Sequence, residues 1–198
     1  MGAFYPSTCD IVESHIACSC DNELGRVSSA ALIHKSFMQQ LLNDPESETI
    51  WAAGITAGFI IVFPYTQGSF NGGEPIFGRG FATTEETLMA MKFQVDIVDP
   101  DYIGNDEFYN SVNGSRNFHI AFCTETIMMI SDKACSIFAA APIENDLKKE
   151  ITFKLSAKWT FNKSPKQYSI PDNIFVCAPG VVYGASFDNS FDDSFDIP

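Results

Sequence analysis

Between residues 150 and 161 the chain reads EITFKLSAKWTF. Ile151, Phe153, Leu155, Ala157, Trp159 and Phe161 alternate with Glu150, Thr152, Lys154, Ser156, Lys158 and Thr160. Successive side chains of a strand point to opposite faces, so this period of two predicts one long strand with an apolar and a polar face. Met89, Met91, Phe93, Val95 and Ile97 alternate with Ala90, Lys92, Gln94 and Asp96 in the same way. Residues 118–122, FHIAF, and the apolar run at 126–130 add two more strands.

Helical signals are few. Residues 105–112, NDEFYNSV, start with an Asn that can cap and carry acidic residues in the first turn, with Phe108 and Val112 on one face. Residues 35–43 suit a turn or two of helix. In residues 50–65, Trp51, Ile55, Phe59, Ile61, Phe63 and Tyr65 share the odd positions. That favours a strand or hairpin bent at Gly54 and Gly58. Turn signals at Asp99-Pro100, Asn113-Gly114, Ser131-Asp132 and Ala141-Pro142 separate the segments. The expected fold is therefore mainly β, a β-sandwich or barrel-like sheet pair with one or two short helices and extended terminal arms. The expected division is an N-terminal Cys-containing arm at 1–26, a sandwich at 27–178 and an acidic Phe-repeat arm at 179–198.

Composition sharpens this picture in two places. The 198 residues, 45% hydrophobic and 19% charged, suit one globular domain rather than wholesale disorder. Phenylalanine occurs 18 times, which fits either a Phe-rich β core or aromatic surface held for interfaces. With 12 basic against 25 acidic residues the net charge is −13, and no basic run exceeds Lys148-Lys149. Gripping a nucleic-acid backbone requires clustered Lys and Arg, so such a function is excluded, although nucleic acid could still slide past the surface.

Candidate chemistry is sparse. Cys9, His15, Cys18 and Cys20 have a tight C-x-C, but no second C-x-x-C or H-x-x-x-H pair completes a zinc site, so buried or semi-buried thiols are expected. The opening residues lack a basic region followed by an apolar one, and the apolar stretch at 50–63 is short of the ~20 residues a membrane span needs. Free thiols in a reducing cytoplasm are the expectation, as for Cys123, Cys135 and Cys177. His119 and Cys123 fall on one side of a strand but about 13 Å apart, too far for a base and its nucleophile, so His119 is expected on a sheet surface. His34 belongs to no cluster. Glu85-Glu86 and Asp192-Asp193 read as solvated pairs. Residues 66–80, TQGSFNGGEPIFGRG, form a Gly-rich stretch with no following lysine, read as a long loop that folds against a neighbouring subunit rather than a phosphate cradle. No constellation is catalytic, and no cofactor or metal is expected.

Residues 78–177 carry a family resemblance. Their segments are GRGFATTEETLMAMKFQVDIVDPDYIGNDEFYNSVNG, then FHIAFCTETIMMISD, then PIENDLKKEITFKLSAKWTFNKSPKQYSIPDNIFVCA. The order is a strand, an Asp-Pro corner, a short helix before a Gly turn, two strands and a long strand. This resembles virion structural proteins of tailed bacteriophages, of the tail tube (major tail) protein kind, over about half of the chain. The resemblance implies a non-enzymatic β-sandwich subunit in the virion, assembled in the host cytoplasm into hexameric rings stacked as a tube. Arms and loops would bridge neighbours, and genomic DNA would be passing cargo. It leaves open another virion role, as head–tail connector, tail-completion or capsid decoration protein, which ring diameter or stoichiometry would separate. A cellular enzyme or zinc-binding module is a third possibility, separable by metal analysis.

The last thirteen residues, SFDNSFDDSFDIP, lie outside the resemblance. They place Phe187, Phe191 and Phe195 on a four-residue beat between aspartates. Asp, Asn and Ser disfavour helix interiors, and an even period puts the three rings on one side of an extended strand. They are candidates for a subunit interface in which the arm lies along a neighbour, in the manner of strand addition. The alternative is an arm that folds back over an edge of its own sandwich.

Overall fold

The computed structural model describes residues 26–79, 86–99, 105–142 and 151–175. They form two antiparallel sheets, packed face to face, and three short helices; the sheets do not close into a barrel. One sheet contains β1 (Ser29–His34), β2 (Ile60–Phe63), β6 (Phe118–Cys123), β7 (Ile127–Ile130) and β10 (Lys166–Ser169), in the order β10-β7-β6-β1-β2. We call it the central sheet. The outer sheet contains β3 (Gln67–Phe70), β4 (Glu74–Arg79), β5 (Glu86–Asp99), β8 (Ser136–Ala140) and β9 (Phe153–Phe161), with β3 and β4 both paired to β5, then β9 and β8. The helices are α1 (Lys35–Leu41), α2 (Glu48–Thr56) and α3 (Asp106–Val112).

The long alternating segment behaves as its pattern predicts. In β9 the side chains of Phe153, Leu155, Ala157 and Trp159 are buried, while Lys154, Lys158 and Thr160 are exposed. Its neighbour β5 pairs Phe93 with Trp159, Val95 with Ala157 and Ile97 with Leu155, so the inward residues of both strands stand in rows. Phe93 and Trp159 stack at 5.3 Å, Phe70 stacks on both, and Phe122 of the central sheet meets Phe70 at 4.8 Å. Such aromatic pairs add to the area they bury and tie the two sheets together. Much of the Phe content is thus core.

The central sheet is apolar on both faces. Ala30, Leu32, Ile120 and Phe122 face the outer sheet. Ala31, Ile33, Ala121, Cys123, Met128 and Ile130 face the other way, against Phe37, Met38 and Leu41 of α1, Trp51 of α2 and the segment ending at Ile174 and Phe175. That segment is pinned to the helices. Ser169 N–H donates to Glu46 Oε1 at 2.8 Å, Trp51 Nε1–H donates to the Pro45 carbonyl at 2.7 Å, and the Trp51 and Phe175 rings meet edge to face. Because β1 has no alternation, its burial on both sides left no period-two trace.

Three expectations change. Residues 50–65 are not a hairpin: Glu48–Thr56 is a helix, Gly58 turns the chain at φ 74°, and β2 follows. Gly54 sits inside that helix because a Cβ there would come within 2.5 Å of Ile60 Cδ1 and 2.7 Å of Phe37 Cε1. The described residues accordingly hold three helices, not the one or two expected. Of the loop expected at 66–80, residues 67–70 and 74–79 are strand. β3 and β4 run along β5 as one interrupted edge strand, bulged at Asn71, Gly72 and Gly73, where Gly72 and Gly73 have positive φ. The Gly run therefore bends a strand. The third helix, α3, stands where 105–112 placed it with Asp106 and Glu107 in its first turn, but the Asn105 side chain makes no capping hydrogen bond. Of the arms expected at 1–26 and 179–198, all but Arg26 lies outside the described residues.

Two substitutions probe this architecture. Phe153 is 7% exposed and stacks on Tyr109 at 4.0 Å, so Phe153→Ala should cost about 3–5 kcal/mol in urea unfolding. A loss below about 1 kcal/mol would invert the face assignment. Gly54→Ala raises helix propensity by up to about 1 kcal/mol, yet it should lower net stability by about 1–2 kcal/mol because Ile60 and Phe37 are themselves buried. An unchanged or higher midpoint would show that the α2–β2 contact yields freely.

Candidate functional site

A projecting ribbon is the first candidate. β9 accompanies β5 from Met91 to Asp99, leaving residues 86–90 of β5 paired to β4 alone. Among the described residues no strand beyond β4 pairs with this two-stranded extension. It carries Ile76, Phe77, Leu88 and Met89 on the surface, Phe77 being 56% and Met89 68% exposed. The register shifts by one residue between Ile76 and Phe77, and the Met89 thioether lies over Gly78, where a Cβ would meet Sδ at 2.0 Å. Four large apolar side chains gathered on a two-stranded projection form the kind of patch that marks an interaction site.

The edges of the outer sheet show what kind of contact is open. At β8 the turn at 113–115 occupies the edge: Gly114 N–H donates to the Ile137 carbonyl, Ile137 N–H to the Ser115 carbonyl and Ala139 N–H to Asn113 Oδ1. At β3, Val27 and Gly68 exchange two backbone hydrogen bonds. β4 is the edge that no described segment covers, and Pro75 with the register shift blunts its backbone pairing. The ribbon therefore offers side chains more than a free hydrogen-bonding edge.

The second candidate is a polar knot at the start of β6. His119 is not a surface residue: it is 9% exposed, and Nδ1 lies 2.9 Å from the Ser131 carbonyl. A carbonyl can only accept, so Nδ1 carries the proton, and burial holds the ring's pKa below its ordinary value. Ser131 Oγ accepts from Ile120 N–H at 3.0 Å and from the Cys135 thiol at 3.4 Å. Burial raises the Asp132 carboxyl, whose Oδ2 is buried with no hydrogen-bond partner. The same cause pushes Cys123 up to about 12 and Cys135 up to about 11, so both thiols stay protonated near neutrality. The His119–Cys123 pair is not assembled, and the knot ties the 131–135 corner to β6. Nothing in the spacing of His119, Ser131 and Cys135 announces it, because a turn brings them together.

The other sequence candidates fall as follows. Phe187, Phe191, Phe195, Cys9, His15, Cys18, Cys20, Cys177, Glu85 and the Asp192-Asp193 pair lie outside the described residues. His34 caps α1, its Nδ1 accepting from Ser36 N–H, and Glu86 is exposed on β5. Among the described residues no three His, Cys, Asp or Glu side chains gather as metal ligands, and no helix is long and apolar enough to cross a membrane. A recess of about 540 Å³ lined by Ser28, Ser29, Thr124, Glu125, Asp172 and Phe175 lies where the described body begins and ends. No protein-family model, no curated protein and no solved structure matches the chain.

The buried neutral His119 makes stability pH-dependent. Its folded pKa is below the ordinary 6.5, so the unfolded state binds more protons in acid. The stabilising contribution is present above about 6.5 and is lost as pH falls through the folded value. Between about pH 7.5 and about pH 5.5 the melting temperature should fall more in the native protein than in His119→Gln. Parallel curves would show that His119 titrates as it does in the unfolded chain.

Proposed function

We propose that the protein is a structural subunit of a tailed-bacteriophage virion that assembles with copies of itself, in hexameric rings stacked as a tail tube. DNA passes through such a tube as unrecognised cargo. The observation that carries this reading is the β4–β5 ribbon, an apolar extension of the outer sheet that no described segment covers. A subunit that joins neighbours through projecting elements uses such a surface, and a solitary globular domain gains nothing from exposing it. Two further features support the reading. A net charge of −13 suits a wall that must not hold a polyanion. The two-sheet sandwich is the body that the sequence resemblance implies, and the reading assigns the protein no catalytic step.

Size-exclusion chromatography followed by negative-stain imaging tests this directly, with rings or tubes as the expected result. Phe77→Ser combined with Met89→Ser should leave unfolding stability within about 0.5 kcal/mol, since both side chains are exposed. The same pair should raise the concentration needed for assembly at least about tenfold, a change of about 1.4 kcal/mol. A native protein that stays a monodisperse monomer at every concentration would overturn the reading.

A further inference from the structure

The face of the outer sheet that points away from the core is crossed by no described segment. Strand alternation sets its composition: Ser136, Phe138 and Ala140 of β8, Lys154, Ser156 and Lys158 of β9, then Gln94 and Asp96 of β5. Phe138 is 60% exposed on β8 at one margin of this face, paired with Ser156 of β9, while Lys158 and Lys154 pair with Ser136 and Ala140 on either side of it. Gln94 Nε2 donates to both Asp96 oxygens, and Ser156 Oγ donates to Asp96 Oδ1, so the Asp96 carboxylate is engaged by its own sheet. The two lysines have no ion-pair partner among the described residues. Beside them lies a recess of about 340 Å³ over Gly68, bounded by Gln67, Ser69, Asp96 and Lys154. In a chain of net charge −13, two lysines either side of an exposed aromatic form a local inversion of charge.

We propose that residues 186–198 of one copy dock along this face of a second copy, with aspartates on Lys154 and Lys158 and Phe rings beside Phe138. This rests on the self-assembly reading above. Three observations select this occupant. The first is spacing: Lys154 and Lys158 are four residues apart on one strand face, about 13 Å, and Asp188, Asp192 and Asp196 recur at the same interval. Extended on this face, the segment would direct Phe187, Phe191 and Phe195 to the sheet. The lysine stems are long enough to rise beside it and meet the carboxylates.

The second observation is charge, an acidic segment meeting the lysine pair of an otherwise acidic protein. The third is direction. The described body ends at Phe175, packed on Trp51 in the helix layer, on the far side of the central sheet from the bare face. Residues 176–185 can span at most about 36 Å, so the adjoining copy has to lie within that reach. An arm that leaves one side of a subunit and lands on the opposite side of the next makes a head-to-tail contact, the kind that propagates into a ring or a filament.

Zero-length carbodiimide coupling of an equal mixture of unlabelled and ¹⁵N-labelled full-length chains tests the contact. The expected product is a mixed-isotope cross-link joining Asp188, Asp192 or Asp196 to Lys154 or Lys158. Lys154→Glu with Lys158→Glu should abolish it and raise the assembly concentration about tenfold, more steeply at low salt. Converting Asp188, Asp192 and Asp196 to Lys in that variant should restore assembly. Cross-links within one isotope only, or to other lysines only, overturn the proposal. Assembly without any such cross-link sinks the landing site alone, and failure of the native chain to assemble at all removes the self-assembly reading with it.

Discussion

The structure depends on the burial of the central sheet on both faces. Residues 29–33 and 120–123 present apolar or small side chains alternately to two sides, and neither side can be left in water. At roughly 25 cal/mol per Å² of apolar surface, exposing either face would forfeit a large share of a marginal folding free energy. Two covers are therefore needed, and they are unlike each other. The outer sheet supplies one, bringing Phe93, Leu155 and Trp159 against Ile120 and Phe122. The helices α1 and α2, with the segment ending at Phe175, supply the other.

This asymmetry determines the surface. The outer sheet buries one face and turns the other to solvent, which is why β5 and β9 show clean alternation and the central strands do not. Its edges are closed where the chain can close them, by the 113–115 turn at β8 and by Val27 at β3. What remains is a bare polar face with a lysine pair and a two-stranded ribbon with apolar side chains. Among the described residues no segment covers either surface, and the lysine face lies across the central sheet from Phe175, where the described body ends.

Polar groups inside the body serve the same division of labour. His119 and Ser131 use their hydrogen bonds on backbone atoms of the β6 and 131–135 segments, and Tyr109 donates to the buried Asp99 carboxylate beneath β5. Buried donors and acceptors of this kind must be paired where they stand. They hold corners of the sandwich in place, and their residue types alone mimic the ingredients of a catalytic site.

What the sequence determined by itself is the part with an unambiguous period: β9, most of β5, the turn at Asn113-Gly114 and the helix ending at Val112. In each, one face is apolar and the other polar, so the pattern survives translation into a string. The sequence also set the charge and the Phe-Asp beat of residues 186–198. The apolar runs at 118–122 and 126–130 and the helical turn at 35–43 were legible as well, as β6, β7 and α1; tertiary structure decided the following. Residues 48–56 are a helix packed by Trp51 against the central sheet's second face, with Gly54 passing close to Ile60 and Phe37, contacts absent from any local pattern. Residues 67–79 became an edge strand because the side of β5 away from β9 offers them a partner. His119 was drawn inside by a carbonyl twelve residues away. The ribbon and the lysine face arise from where strands stop and which faces stay uncovered, and such surfaces exist only once distant segments have packed together.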